Sequence, residues 1–236
     1  AAIPQASAVM QLARRLPNMS RAQYRLPVMS ALATAYFVSG DNGLKQTSEV
    51  NWENKYVYAE EIAAIVPIPE SVLDDADYDI WSEVRPELVR AFGATIDAAV
   101  LYGTGIPANW TTALGAAGLI AVATAASQVV SLASYTDVYE AILGETDAGV
   151  AGVFGQVEED GFGVTGSIAP LATKAMLRNC RDTEGMPIFK TNMQDSTRYE
   201  LDGTPIIFPV KGAVSATYHL ISGQWDQLVY SVRQDM

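Results

Sequence analysis

The sequence predicts an α+β fold, and three observations carry the prediction. One apolar stripe at spacings of three to four runs from Ile80 to Val100, which is the period of a long helix. Runs rich in β-branched and aromatic residues occupy 24–68 and return near 205–233. The two kinds of segment come in mixed order, without the regular strand–helix alternation of a parallel sheet and without a repeat of fixed period.

Taken in order, the segment up to Pro27 carries Pro4, Pro17 and Pro27 and no sustained period. It reads as an extended arm with a helical turn around Val9–Arg15. In 24–66, Tyr24, Leu26 and Val28 alternate with Arg25, Pro27 and Met29. Ala35-Tyr36-Phe37-Val38 leads into the turn run Ser39-Gly40-Asp41-Asn42-Gly43, and Lys55–Ala59 and Ile62–Ile68 read as return strands. The tip, Gly40–Lys55, is polar almost throughout, so a hairpin there lies in solvent or on another subunit. Asp74, Asp75, Asp77 and Asp79 suit the start of the long helix, and Gly103-Thr104-Gly105-Ile106-Pro107 its end. Pro86 inside the pattern kinks that helix or marks its first turn. After a Gly/Ala-rich stretch (Leu114–Ala126), a helix is expected over Thr136–Leu143, capped by Ser134 or Thr136. Strands are expected at Ala148–Phe154 and Gly163–Ile168. A third helix opens at Pro170 with Leu171, Ala175, Leu177 and Cys180 inward, and late strands fall at Pro205–Val210, Thr217–Ser222 and Leu228–Arg233.

The chain has 236 residues, 49% hydrophobic and 18% charged, enough to bury a real core. The Ala113–Val130 stretch, broken by Gly115, Gly118, Ser127 and Gln128, is too weak for a membrane span. With no initiator Met and no signal peptide, Ala1 reads as the start of a processed or partial chain. A net charge of −12 argues against phosphate-neutralising nucleic-acid binding. The charge is uneven: Arg14, Arg15, Arg21 and Arg25 precede the first acid, Asp41. A basic arm on an acidic body points to docking on an acidic surface, its own or a neighbour's.

Catalytic and metal constellations are thin. One cysteine and one histidine leave no internal disulfide, no Cys-rich or multi-His metal site and no ordinary His-based triad. Gly103-Thr104-Gly105 lacks the lysine and spacing of a phosphate loop. Glu158-Glu159-Asp160 lacks calcium-loop spacing and reads as a solvated turn. His219 sits in a strand pattern without an acid nearby, Cys180 has no local base, and the Asn109-Trp110-Thr111 sequon has no secretory signal beside it. No cofactor or metal is expected.

Several stretches in sequence order carry a resemblance. Ile65-Val66-Pro67-Ile68-Pro69-Glu70-Ser71-Val72-Leu73-Asp74-Asp75 precedes a long helix ending in Leu101-Tyr102-Gly103-Thr104-Gly105. Ala169–Phe189 contains Leu177, Arg178, Gly185 and Pro187-Ile188-Phe189, and Ser222-Gly223-Gln224-Trp225-Asp226-Gln227 leads to Val232-Arg233-Gln234-Asp235. This order resembles the major capsid proteins of tailed bacteriophages with the Hong Kong 97 fold, although Gln224 stands where an acid is usual. The resemblance implies an N-terminal arm (1–22), an extended β-hairpin loop (23–60), a peripheral domain with its spine helix (61–130), an axial domain (131–222) and a return to the peripheral domain (223–236). The family's further peripheral strands normally follow Met236, so they are expected to be cleaved, unobserved or absent.

The resemblance also implies a function. Copies of the chain would form hexamers and pentamers of an icosahedral virion shell, assembled in the bacterial cytoplasm around double-stranded DNA that is not read in sequence. Portal, scaffold or decoration proteins would be further partners, and no membrane would be involved. Arg14, Arg15, Arg21, Arg25, Lys45, Glu49, Trp52 and Lys55 are the expected inter-subunit contacts, Lys45 the candidate cross-link lysine and Pro86 the spine-helix bend. Two other readings stay open from sequence: an encapsulin-like nanocompartment shell, and a soluble α+β enzyme working through Cys180 or Glu158–Asp160.

Overall fold

The computed structural model describes residues 3–31, 35, 37, 47–71, 79–135, 137–144, 151–181, 185–187, 199–209, 213–215 and 217–233. The chain divides into two compact units: Ala1–Leu16 with Glu61–Tyr230 and Asp235–Met236, and Pro17–Glu60 with Ser231–Gln234.

The first unit starts with two short helices, α1 (Ile3–Ala6) and α2 (Ala8–Leu12), and a two-residue strand β1 (Arg14–Arg15), where the sequence suggested an extended arm with one helical turn. Ser7 explains the break between the helices. Its backbone is extended, and its hydroxyl caps α2 by accepting the Met10 N–H. Ala8 and Val9 of α2 are buried in the core.

In the second unit, β2 (Gln23–Ala31) pairs antiparallel with β3 (Asn51–Tyr58). No third strand among the described residues joins this sheet. Pro27 is tolerated because a two-stranded sheet is all edge. The register places Arg25 opposite Tyr56 and Met29 opposite Trp52, and on the alternate positions Leu26 opposite Lys55 and Val28 opposite Glu53. Facing residues share a side of the sheet. One side therefore carries Arg25, Met29, Trp52 and Tyr56, and the other Tyr24, Leu26, Val28, Lys55 and Val57. The expected return strand Ile62–Ile68 is not a strand. Its backbone joins no ladder, and Pro67 and Pro69 lack the donors one would need. Tyr36 and Val38 of the expected strand at 35–38 lie outside the described residues, as do Asp74, Asp75 and Asp77.

The spine of the first unit is α3 (Ile80–Tyr102), 23 residues and about 34 Å long at 1.5 Å per residue. The Asp79 carboxylate caps it by accepting the Trp81 N–H at 3.0 Å, and Gly103 ends it in the left-handed region at φ +67°. Pro86 lies inside this one helix and does not mark its start. The stripe read from sequence buries unevenly. Val84, Leu88, Phe92 and Ile96 are half-covered and Trp81 is exposed, while Gly93, Asp97, Ala99, Val100 and Leu101 are buried. A helix N-terminal half with a half-bare apolar stripe has surface left to cover.

Short helices follow: α4 (Thr111–Leu114), α5 (Gly118–Ala125) and α6 (Val138–Leu143). The cap of α6 is Asp137, which accepts the Glu140 N–H at 2.9 Å; the expected cap Ser134 ends a preceding 3-10 turn and Thr136 lies outside the described residues. Helix α7 (Val153–Glu159) stands where the sequence suggested the end of a strand over Ala148–Phe154. Val153 and Phe154 pack inward as one side of a helix, so burial overrides their β-propensity.

Strand β4 (Gly166–Ile168) is central. After α8 (Thr173–Asn179), which buries Leu177 and the following Cys180 but leaves Leu171 and Ala175 exposed, come β5 (Glu200–Leu201), β6 (Thr204–Ile207) and β7 (Ile221–Gly223). The sheet order is β5-β6-β4-β7, with β4 parallel to β6 and antiparallel to β7. The late strands are thus shorter than expected. Ile168 enters one core with Val9, Leu101, Leu114 and Trp225, and its neighbour Ala169 enters a second with Ile142, Phe154, Leu177 and Ile206. Trp225 is fixed by its indole N–H, which donates to the Gly166 carbonyl at 2.9 Å. Strand β8 (Val229–Tyr230) closes the unit, pairing parallel with β1.

Gly93 decides how α1 sits on α3. A Cβ there would lie 2.7 Å from the carbonyl carbon of Ala6, which is backbone and cannot yield cheaply. Gly93→Ala is expected to lower stability by about 1–3 kcal/mol through overpacking. Thermal melting reads the loss, and limited proteolysis should cut near Ala8 faster than in the parent protein.

Candidate functional site

Two surfaces organise the chain's polar groups. The first is a seat on α3. The Asp97 carboxylate is fully buried and accepts from the Ser7 hydroxyl at 2.6 Å, the Ala8 N–H at 2.9 Å and the Val9 N–H at 3.1 Å. A residue 90 positions away thus supplies anion capping at the start of α2, where free N–H groups favour negative charge. Gly93, one turn earlier on α3, makes room for Ala6. Burial pushes the Asp97 carboxyl above the usual carboxylate range, outweighing the Ser7, Ala8 and Val9 bonds that pull it down.

This seat is a contact of the N-terminal segment that the charge-based expectation for its arginines did not include. An acid does hold the N-terminal segment, but it takes backbone N–H groups and a serine. Arg14 and Arg15 stay exposed on β1. Sequence reasoning passed over Asp97. The available signal was a lone charge in the apolar stretch 91–102, set against a Ser7-Ala8-Val9 cap pattern near the N-terminus.

The second surface is the hairpin. Trp52 is 64% exposed, Tyr24 53%, Met29 47% and Tyr56 47%. The register brings Arg25, Trp52 and Tyr56 to one side. Lys55 lies on the other, 3.0 Å from Glu53 in an exposed ion pair of little energetic weight. Arg21 and Glu49 are exposed, and Lys45 lies outside the described residues.

The groups considered for catalysis do not converge. Cys180 is buried, and desolvation, with the Asp137 charge, pushes its thiol upward, the wrong direction for a nucleophile. It borders a cavity of about 240 Å³ with Tyr139, Leu177, Glu200 and Asp202, and neither Glu158–Asp160 nor His219 lines that cavity. Glu158, Glu159 and Asp160 are exposed at the end of α7. The buried Nδ1 of His219 has no hydrogen-bond partner among the described residues.

Comparison with known proteins decides the family. The family model described as "Phage capsid family" matches residues 1–236. The chain belongs to the phage capsid family. Its members are structural proteins, and its α+β architecture is of the Hong Kong 97 type. A solved chain from Microbacterium phage Oxtober96 is 30% identical with a TM-score of 0.78, over 98% of this capsid chain and 74% of that one. One from Mycobacterium phage Bobi is 28% identical with a TM-score of 0.72, over 98% and 73%. The curated "Major capsid protein" of Staphylococcus phage 80alpha is 23% identical over 97% of this chain. The capsid chain spans 63% of that relative's length.

Asp97 yields a prediction with a definite sign. A folded value above the unfolded one gives a contribution fully present below the unfolded pKa and lost as pH rises through the folded pKa. Denaturant melts of the parent and Asp97→Asn from about pH 7 down to about pH 4 should show the difference moving in the parent's favour. A shift the other way refutes the raised carboxyl. Asp97→Ala, which strips the acceptor from three donors, should cost about 3 kcal/mol at neutral pH.

Proposed function

We propose that this chain is the major capsid protein of a tailed double-stranded DNA phage, assembling with copies of itself as hexamers and pentamers into an icosahedral shell. The observation that carries the reading is the β2–β3 hairpin. It is a two-stranded sheet whose sides both carry exposed apolar groups, and such a sheet is marginal in water without a layer beneath it. A neighbouring copy supplies that layer. Arg25, Trp52 and Tyr56 on one side make a contact of the aromatic-plus-arginine kind that dominates interface energetics. Around a ring each contact is heterologous and repeats, so modest pairwise affinities add to a stable closed shell.

In this reading residues 1–22 are the arm, 23–60 the extended loop, 61–130 the peripheral domain with α3 as its spine, 131–222 the axial domain and 223–236 the return to the peripheral domain. The shell forms in the bacterial cytoplasm and encloses DNA without reading its sequence. A charge of −12 keeps the wall from gripping phosphates. Pro86, which removes one backbone bond inside α3, is the point at which the spine bends between precursor and expanded shells. Pro86→Ala should then yield shells that expand more slowly or not at all; unchanged expansion kinetics by light scattering would remove that role.

Electron microscopy and sedimentation of the full chain test the whole. Closed particles built of hexamers and pentamers are expected, and a persistent monomer would overturn the reading. Trp52→Ala with Tyr56→Ala should leave the melting temperature within a few degrees, because neither side chain is core. Particle yield should fall at least about tenfold, as expected when interface anchors are lost.

A further inference from the structure

From Gly161 to Arg181 the chain contains no Asp or Glu, yet it carries Lys174, Arg178 and Arg181. On a chain with 27 acidic and 15 basic residues this is a local reversal of sign. Helix α8 presents two of the three. Lys174 and Arg178 stand four positions apart, so they share a side of the helix, about 6 Å apart along its axis. Arg178 and Arg181 are exposed, and Lys174 is half-buried.

Aromatic rings hold the first cation in place. The Lys174 Nζ lies 4.5 Å from the centre of the Tyr199 ring and 4.3 Å from that of Phe208, and the two rings meet edge to face at 5.1 Å. Arg178 donates to the Tyr199 phenol oxygen. That bond above all, with the charges of Lys174 and Arg178, pulls the phenol below its usual range against the opposing effect of burial. A neutral phenol does not balance two cations. Among the described residues, none of Lys174, Arg178 and Arg181 forms an ion pair with a carboxylate. The acid next to Tyr199 is Glu200. Tyr199 and Leu201 both pack against the second core, so Glu200 between them is turned the other way, where it lines the cavity beside Cys180 with Asp202.

Positive charge without an internal partner calls for an anion. Three cations within eight residues answer several negative groups at once, as a run of phosphates presents them and a single carboxylate does not. The rings pack on the core and carry Lys174, so they are engaged rather than open as platforms for stacked bases. What remains is contact with a nucleic-acid backbone, which holds no sequence information. The acidic remainder of the chain keeps such a contact weak, so a wall of net charge −12 touches the genome without gripping it.

We infer that Lys174, Arg178 and Arg181 form a phosphate-contact patch for the double-stranded DNA enclosed by the shell. The inference rests on the shell-building reading and deepens it by naming where wall and genome meet. Acetylation of Lys174 and phenylglyoxal modification of Arg178 and Arg181, located by mass spectrometry, test it in free subunits, DNA-filled particles and particles emptied of DNA. All three should react at least about threefold more slowly in filled than in emptied particles, since a covered group reacts only through local opening. In solution, a short duplex should bind free subunits at low salt regardless of its sequence. Arg178→Gln with Arg181→Gln, both exposed positions, should lower the salt slope of that binding by about 2.

Equal rates in filled and emptied particles, or an unchanged salt slope in the double variant, would overturn the DNA contact while leaving the shell reading intact. Protection in both kinds of particle but not in subunits would overturn it in favour of cover by a neighbouring copy. Protection by inorganic phosphate with none from DNA would overturn it in favour of the free anion. If the parent protein forms no particles at all, the shell reading fails, and this inference with it.

Discussion

Among the described residues the hairpin is a sheet of two strands with exposed apolar groups on both sides, and the account depends on that constraint. Strands β2 and β3 pair along one edge each, but among the described residues the sheet stops at two strands and leaves Tyr24, Met29, Trp52 and Tyr56 about half exposed or more. Burying such side chains is worth about 1.5–3 kcal/mol each. The sequence keeps them on a two-stranded ribbon where they stay exposed. In the proposed function, neighbouring copies of the chain bury them.

The spine helix organises the first unit by another route. Its C-terminal half is a core element with Val100 and Leu101 buried, and on the same half Gly93 and Asp97 receive the N-terminal residues. One buried carboxylate thereby joins two segments 90 positions apart, with three donors answering its charge. Its N-terminal half is only half-covered and contains Pro86. Core anchoring and partly exposed surface are thus divided along one helix.

What could be read in the sequence was local. The helix Ile80–Tyr102 showed in its spacing and in Gly103, and the hairpin in the alternation around Tyr24–Met29 and Lys55–Ala59. Elements depending on distant partners did not show. Ile62–Ile68 has strand-like residues, but a strand exists only where another chain segment pairs with it. Val153–Phe154 joined a helix because its burial against Ile142 and Leu177 outweighed propensity. The Ser7–Asp97 bond could not be seen because nothing local to Asp97 names its partner. The arginines drew attention by their charge, whereas the contact at Asp97 is made by a hydroxyl and two backbone N–H groups.

Hydroxyl-radical footprinting of the hairpin before and after assembly tests the central claim most directly. Trp52, Met29 and Tyr56 are oxidisable side chains exposed in the single chain. The account predicts rapid modification of all three in free subunits and strong protection of Trp52 and Tyr56 in closed particles. Equal modification in both states would mean that the hairpin meets no neighbour, and the account would be contradicted at its base.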